Sequence, residues 1–142
     1  MAASLVNVIE GLYTWMTSDS TFNTAIGGSA GSAGRLFYGL APSKTQFPFV
    51  TYEVVQNRDE LPTMSEASYA VIVRFSIWET REAGPRACMD INDKLRSRLD
   101  RQTFSITGAT MLAAALEVER GPSDLEQAFS QRVDYLIRGF GS

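Results

Sequence analysis

Residues Ser68 to Thr80, Ser-Tyr-Ala-Val-Ile-Val-Arg-Phe-Ser-Ile-Trp-Glu-Thr, leave this chain few ways to fold. Read with a period of two, Tyr69, Val71, Val73, Phe75 and Ile77 fall on one side of a strand. Ala70, Ile72, Arg74, Ser76 and Trp78 fall on the other. The first side is unbroken apolar surface rich in β-branched and aromatic residues, so it has to meet a core. The second side sets Ile72 and Trp78 beside a charge and a hydroxyl. Such a face is either a contact surface for another molecule or covered by a helix or loop of the same chain.

The rest of the chain supplies that core. Hydrophobic content of 44% and charged content of 20% fit a globular protein and not a disordered one. A length of 142 residues suits one domain spanning 1–142. From Ala3 to Thr17, Leu5, Val8, Ile9, Leu12, Tyr13 and Met16 recur at helical spacing, with Ser4 as a candidate cap. Gly11 inside this helix costs about 1 kcal/mol relative to alanine. Asp19 or Ser20 caps a short second helix through Ile26, pinned to the first by Phe22 and Ile26. Gly27 to Gly34 reads as a flexible, solvent-exposed linker, because no lysine with serine or threonine closes it as a phosphate loop requires.

Arg35 to Tyr38 reads as a short strand, and Phe49 to Gln56 as a longer one with Val50, Tyr52 and Val54 on one side. The polar segment 57–67 joins it to the central strand in a long-looped antiparallel hairpin. That loop is longer than a turn needs and carries Leu61 and Met64 at its tip. Gly84-Pro85 starts a helix with Cys88, Ile91, Leu95 and Leu99 as its apolar stripe. Its acidic residues come first and Arg96, Arg98 and Arg101 last, a placement that suits the helix dipole more simply than a binding patch. Met111 to Arg120 has good helix propensity, yet Leu112, Ala114, Leu116 and Val118 alternate between two glycine-marked breaks. With Ala128 to Arg138, which alternates clearly, it reads as a second antiparallel hairpin. The expected architecture is α+β, a two-layer domain with a mostly antiparallel sheet and its helices packed on one face. Glu53, Arg74, Glu117, Arg132 and Asp134 then share the uncovered face, where cross-strand charge pairs contribute about 0.2–1 kcal/mol each.

Several classes of function are disfavoured. No histidine is present, which removes the commonest general base and metal ligand. A lone Cys88 on a buried stripe reads as an inert core thiol, excludes an internal disulfide and suits folding in a reducing cytoplasm. A net charge of −3, with Lys44 and Lys94 as the two lysines, argues against nucleic-acid binding. No Lys or Arg precedes Arg35, so a signal peptide's charged start is missing, and no apolar run nears the ~20 residues a bilayer span needs. Carboxylate pairs such as Asp90 with Asp93 sit where solubility explains them. The expectation is an assembly protein with no enzyme activity, no cofactor, no metal and no membrane partner.

The order of features resembles the tail terminator, or tail-completion, proteins of long-tailed bacteriophages and gene transfer agents. The resemblance runs through Leu12-Tyr13, Asp19 to Gly28, Arg35 to Tyr38, Ala41-Pro42 and Phe47 to Tyr52. It continues through Trp78-Glu79, the helix with Ile91 and Leu95, and the last hairpin with Asp124. It implies a homo-oligomeric ring of six copies at the head-proximal end of the tail tube, within the virion and assembled in the bacterial host cytoplasm. Such a ring stops tube polymerisation, contacts the tail tube protein and the neck or head-completion protein, and lets DNA pass through its lumen without specific binding. The competing readings are a head-completion or neck connector ring and, more remotely, a carboxylate-dependent enzyme. A closed ring needs two different patches per subunit. The residues expected to form them are Ile72, Arg74 and Trp78 on the sheet, Arg132 and Asp134 on the last strand, and Arg58, Asp59, Glu60, Leu61 and Met64 on the hairpin loop, which would order on docking to the tube or next ring.

Overall fold

A computed structural model describes residues 5–58, 68–106, 109–124 and 128–140. Two helices come first, α1 (Leu5–Thr17) and α2 (Ser20–Ala25), then strands β1 (Leu36–Tyr38), β2 (Phe49–Arg58) and β3 (Ser68–Thr80). Helix α3 (Pro85–Leu99) follows, then β4 (Thr103–Ile106), β5 (Ala109–Glu119), β6 (Ser123–Asp124) and β7 (Ala128–Phe140). The sheet runs β1-β2-β3-β7-β5-β4, with β6 alongside β7. All pairings are antiparallel except β1 with β2, which is parallel. The α+β architecture expected from the alternation is the one observed.

Strand β3 is central, paired along its whole length with β7 on one side and with β2 on the other. Val71, Val73, Phe75 and Ile77 are all essentially inaccessible, as are Val133, Tyr135 and Ile137 opposite them on β7. All three helices cover this side. Helix α1 contributes Val8, Leu12 and Met16, α2 contributes Phe22, and α3 contributes Cys88, Ile91, Leu95 and Leu99. The periodic apolar stripes of the sequence are therefore the surfaces that close the core. Asp19 caps α2 by accepting from Phe22 N, and Pro85 occupies the first turn of α3.

Trp15 fastens α1 to the distal half of the chain. Its ring stacks on Phe104 of β4 at 5.2 Å between centroids, and the Arg98 guanidinium lies 3.4 Å from its centroid. Trp15 Nε1 donates to Arg98 O (3.1 Å), while Arg98 Nε donates to Trp15 O (3.0 Å) and its Nη2 to Ser18 Oγ (2.8 Å). Arg96 pairs with Asp100 (3.6 Å) and Glu119 (3.4 Å). Both arginines therefore have internal partners beyond the helix dipole.

Four features depart from the sequence reading. Strands β4 and β6 are additional. The segment 27–34 is not a free linker: Asn23, buried on α2, donates through Nδ2 to Ser32 O (3.0 Å) and Ser29 O (3.4 Å) and accepts from Gly34 N at 2.5 Å. A buried amide has to satisfy its polar atoms, and the loop backbone does so. In β5 the register shifts between Leu116 and Val118, a bulge that changes which residues face inward. Val118 consequently pairs with Asp134 and is exposed, while Glu119 turns to the helix side and accepts from Asn92 Nδ2 and Arg96 Nη1. Finally, β2 has its own bulge between Val54 and Gln56.

Candidate assembly surface

The helices leave the opposite face of the sheet uncovered, and the residues expected to act there fall into three groups. At its middle, Arg74 and Asp134 are direct partners across β3 and β7. Arg74 Nε donates to Asp134 Oδ1 (2.9 Å) and Nη2 to Oδ2 (3.2 Å), a bidentate pair. The hydrogen bond to Asp134 is the main cause that raises the Arg74 pKa above its ordinary value, with the charges of Asp134 and the neighbouring Glu53 adding to it. The charges of this pair are matched within the subunit, so it braces the two central strands.

Toward the 70 end of β3, Ala70, Ile72 and Leu136 form a small second cluster, with Ile72 only 6% exposed. Ile72 is thus already buried within its own chain. At the other end the face opens. Phe47, Phe49 and Trp78 form an aromatic row, with centroids 5.2 Å and 6.0 Å apart along it. Trp78 is half-buried and its Nε1 donates to Thr51 Oγ1 at 3.4 Å. Leu40 and Pro42, from the turn after β1, complete an open apolar groove of about 410 Å³. Leu40 is 90% exposed, and Lys44 is the one charged residue of the lining. Arg35 holds the approach to this turn by donating to Pro48 O (3.0 Å) and Phe47 O (3.3 Å). The two alternatives for this face thus divide by position: the chain covers its Ile72 end and leaves its Trp78 end open.

Arg132 is exposed on β7 opposite Ser76. Arg58 ends β2 opposite Ala70. Asp59, Glu60, Leu61 and Met64 lie outside the described residues. The sequence reading singled out Trp78 but not Leu40, Pro42, Lys44 and Phe47. Their signal was available in Leu-Ala-Pro and Phe-Pro-Phe, apolar residues set among turn formers where no strand buries them.

Chemistry for catalysis is sparse in this set. Among the described residues no three or more His, Cys, Asp or Glu side chains are placed to hold a metal ion. Burial pushes the Cys88 thiol up to about 11, away from a thiolate nucleophile. No described helix is long and apolar enough to cross a membrane.

Comparison with protein families gives a match to the family described as tail completion protein gp17 over residues 10–136. Among solved structures, a chain from the virion of a native gene transfer agent particle superposes with a TM-score of 0.70 at 13% identity, covering 97% of this chain and 98% of that one. A second solved protein, whose name carries no function, has a TM-score of 0.70 at 7% identity, covering 99% of both chains. At these identities the superpositions speak to the fold. Curated protein sequences give no match.

Proposed function

The chain belongs to the tail completion protein gp17 family, structural proteins of the phage tail, and from that premise we propose that it forms a closed ring of six copies at the head-proximal end of the tail tube. The ring ends tube polymerisation, contacts the tube protein on one side and the neck or head-completion protein on the other, and leaves a lumen through which DNA passes. The family match along nearly the whole chain carries this reading. The fold supports it, because one subunit buries its helices against one sheet face and leaves the Trp78 end of the other open. Six chains at −3 each (6 × −3 = −18) give an acidic assembly through which a polyanion slides without sticking. In this reading residues 1–142 act as one terminator domain. The open Trp78 end, Arg132, Arg58 at the end of β2 and the loop residues Asp59, Glu60, Leu61 and Met64 meet neighbours, while the Arg74–Asp134 pair holds the sheet that presents them.

Electron microscopy of particles assembled without the protein tests the role. Overlong or unattached tails are the expected result. Full-length tails beside heads that leak DNA would instead assign it to the neck as a connector.

A further inference from the structure

The open groove and residues 59–67 belong to opposite ends of one antiparallel ladder. Strand β2 pairs with β3 from Phe49↔Trp78, beside the groove, to Arg58↔Ala70, just before residues 59–67 begin. That segment reads Asp-Glu-Leu-Pro-Thr-Met-Ser-Glu-Ala, with three carboxylates, no base, and Leu61, Pro62 and Met64 as its large apolar residues. Counting Arg58 at its root, its net charge is −2 (+1 and −3). The groove is its complement: Leu40, Pro42, Phe47, Phe49 and Trp78 form apolar walls, and Lys44 is the one charge of the lining. Arg132 stands on the same face, paired with Ser76, two residues from Trp78. Lys44 and Arg132 are exposed, and neither makes an ion pair with another described residue. The carboxylates of Glu53 and Asp134 on this face lie instead beside Arg74, their partner across the strands.

We propose that residues 59–67 of one copy dock into the Trp78-end groove of the next copy. Leu61, Pro62 and Met64 enter between Leu40 and the aromatic row, and the adjoining Asp59 and Glu60 face Lys44 and Arg132. A residue before proline is biased toward extended backbone, and extended proline-containing segments suit aromatic-lined grooves because they lose little entropy on docking. An unbranched thioether against aromatic rings is a favourable and adaptable contact. The same chain's segment cannot lie along its own aromatic row. The strand from Arg58 back to Phe49 covers about 30 Å, whereas residue 63, midway between Arg58 and Ser68, reaches at most about 18 Å from either. The groove is therefore filled by a neighbour, and two different patches make a head-to-tail contact, the kind that closes rings. This inference rests on the ring reading and specifies the patches that join its subunits.

Sedimentation velocity and native mass spectrometry test it on the full chain. Leu61→Asp in the segment and Leu40→Asp in the groove are each expected to weaken self-association by about tenfold or more. Leu40 is 90% exposed, so Leu40→Asp should do so without lowering the melting temperature. Cysteine pairing gives a second readout that needs no loss of association. A chain carrying both Leu40→Cys and Met64→Cys should be linked by mild oxidation into covalent multimers larger than dimers, while either change alone gives no more than dimers; the native Cys88 is buried and stays out of the reaction. If rings form, neither aspartate weakens them and the double-cysteine chain does not multimerise, this contact is wrong while the ring stands. If Leu40→Asp weakens the ring but Leu61→Asp does not and no multimers form, another part of the neighbour fills the groove and residues 59–67 are overturned as its occupant. A wild-type chain that stays monomeric overturns the ring reading itself, and this contact with it.

Discussion

Replacing Gly11 by alanine separates two opposing effects that the structure places at one atom. In an exposed helix the change stabilises by about 1 kcal/mol, because alanine loses less backbone entropy and glycine is a poor helix former. Here α1 lies directly against β4. A Cβ added at Gly11 would lie 2.7 Å from Ile106 Cβ and closer still to its Cγ2. Both atoms are near the backbone of a β-branched side chain, so Ile106 has no rotamer that clears the space, and helix and strand must separate instead. Overpacking of this kind costs about 1–3 kcal/mol. Set against the helical gain, Gly11→Ala should leave stability unchanged or lower it by up to about 2 kcal/mol. At this chain length that is a fall of up to about 8 °C in melting temperature, where propensity alone predicts a rise of about 2–4 °C. Ile106→Ala removes Cγ2, the nearer of the two obstructing atoms, and leaves Cβ, so urea titrations of the two single variants and the double variant should show partial favourable coupling of about 0.5–1 kcal/mol. A Gly11→Ala protein that is more stable by the full helical increment, with no coupling to position 106, would falsify the close approach of α1 to β4.

Three further outcomes follow from the same packing. Asn23→Ala removes the acceptor of Gly34 N and the donors to Ser29 O and Ser32 O, so it should destabilise by about 1–3 kcal/mol and make the 27–34 segment an early site of limited proteolysis; undiminished resistance to protease would mean the loop is held by other contacts. Arg98→Ala should cost about 1–2 kcal/mol and Arg98→Lys nearly as much, because lysine keeps the charge but not the planar stack on Trp15 or the fork to Trp15 O and Ser18 Oγ; a lysine variant as stable as wild type would show that charge alone suffices there. The buried Cys88 thiol is raised from 9.0 to about 11, so the unfolded chain loses its proton first as pH rises. Its contribution is complete below pH 9 and is lost as pH climbs toward 11, by roughly 2–3 kcal/mol, and a Cys88→Ala protein should show a flatter decline in urea midpoint between pH 9 and 10.

What the sequence disclosed was whatever repeats. The alternation of β3 and β7, the stripes of α1 and α3, and the strand character of β5 all recur over enough residues to outweigh local propensity, even in the alanine-rich run that favours a helix. What stayed hidden was short or depended on a distant partner. Strand β4 is the four residues Thr-Phe-Ser-Ile, too brief to show a period, and β6 is two. A bulge leaves no mark on composition, so Val118 appeared on the wrong side of β5. Asn23 looked like an ordinary residue of a short helix, and its role follows from a loop whose carbonyls lie six and nine positions away. The assembly surface was half legible. Trp78 and Ile72 were conspicuous as large apolar groups on a mixed face, but only the register with Leu136 and the turn after β1 decides that one is sealed and the other open.

The position of β3 has a consequence for how such a subunit can be made. One flank of this strand is occupied by β2, which precedes it, and the other by β7, which ends at Phe140. A nascent chain therefore carries an unzipped, greasy strand in the middle of its sheet until β7 has been made and has paired with it. A copy that lacks β7 has no finished sheet to offer a neighbour, so the order in which the strands are wired holds oligomerisation back until that strand is in place.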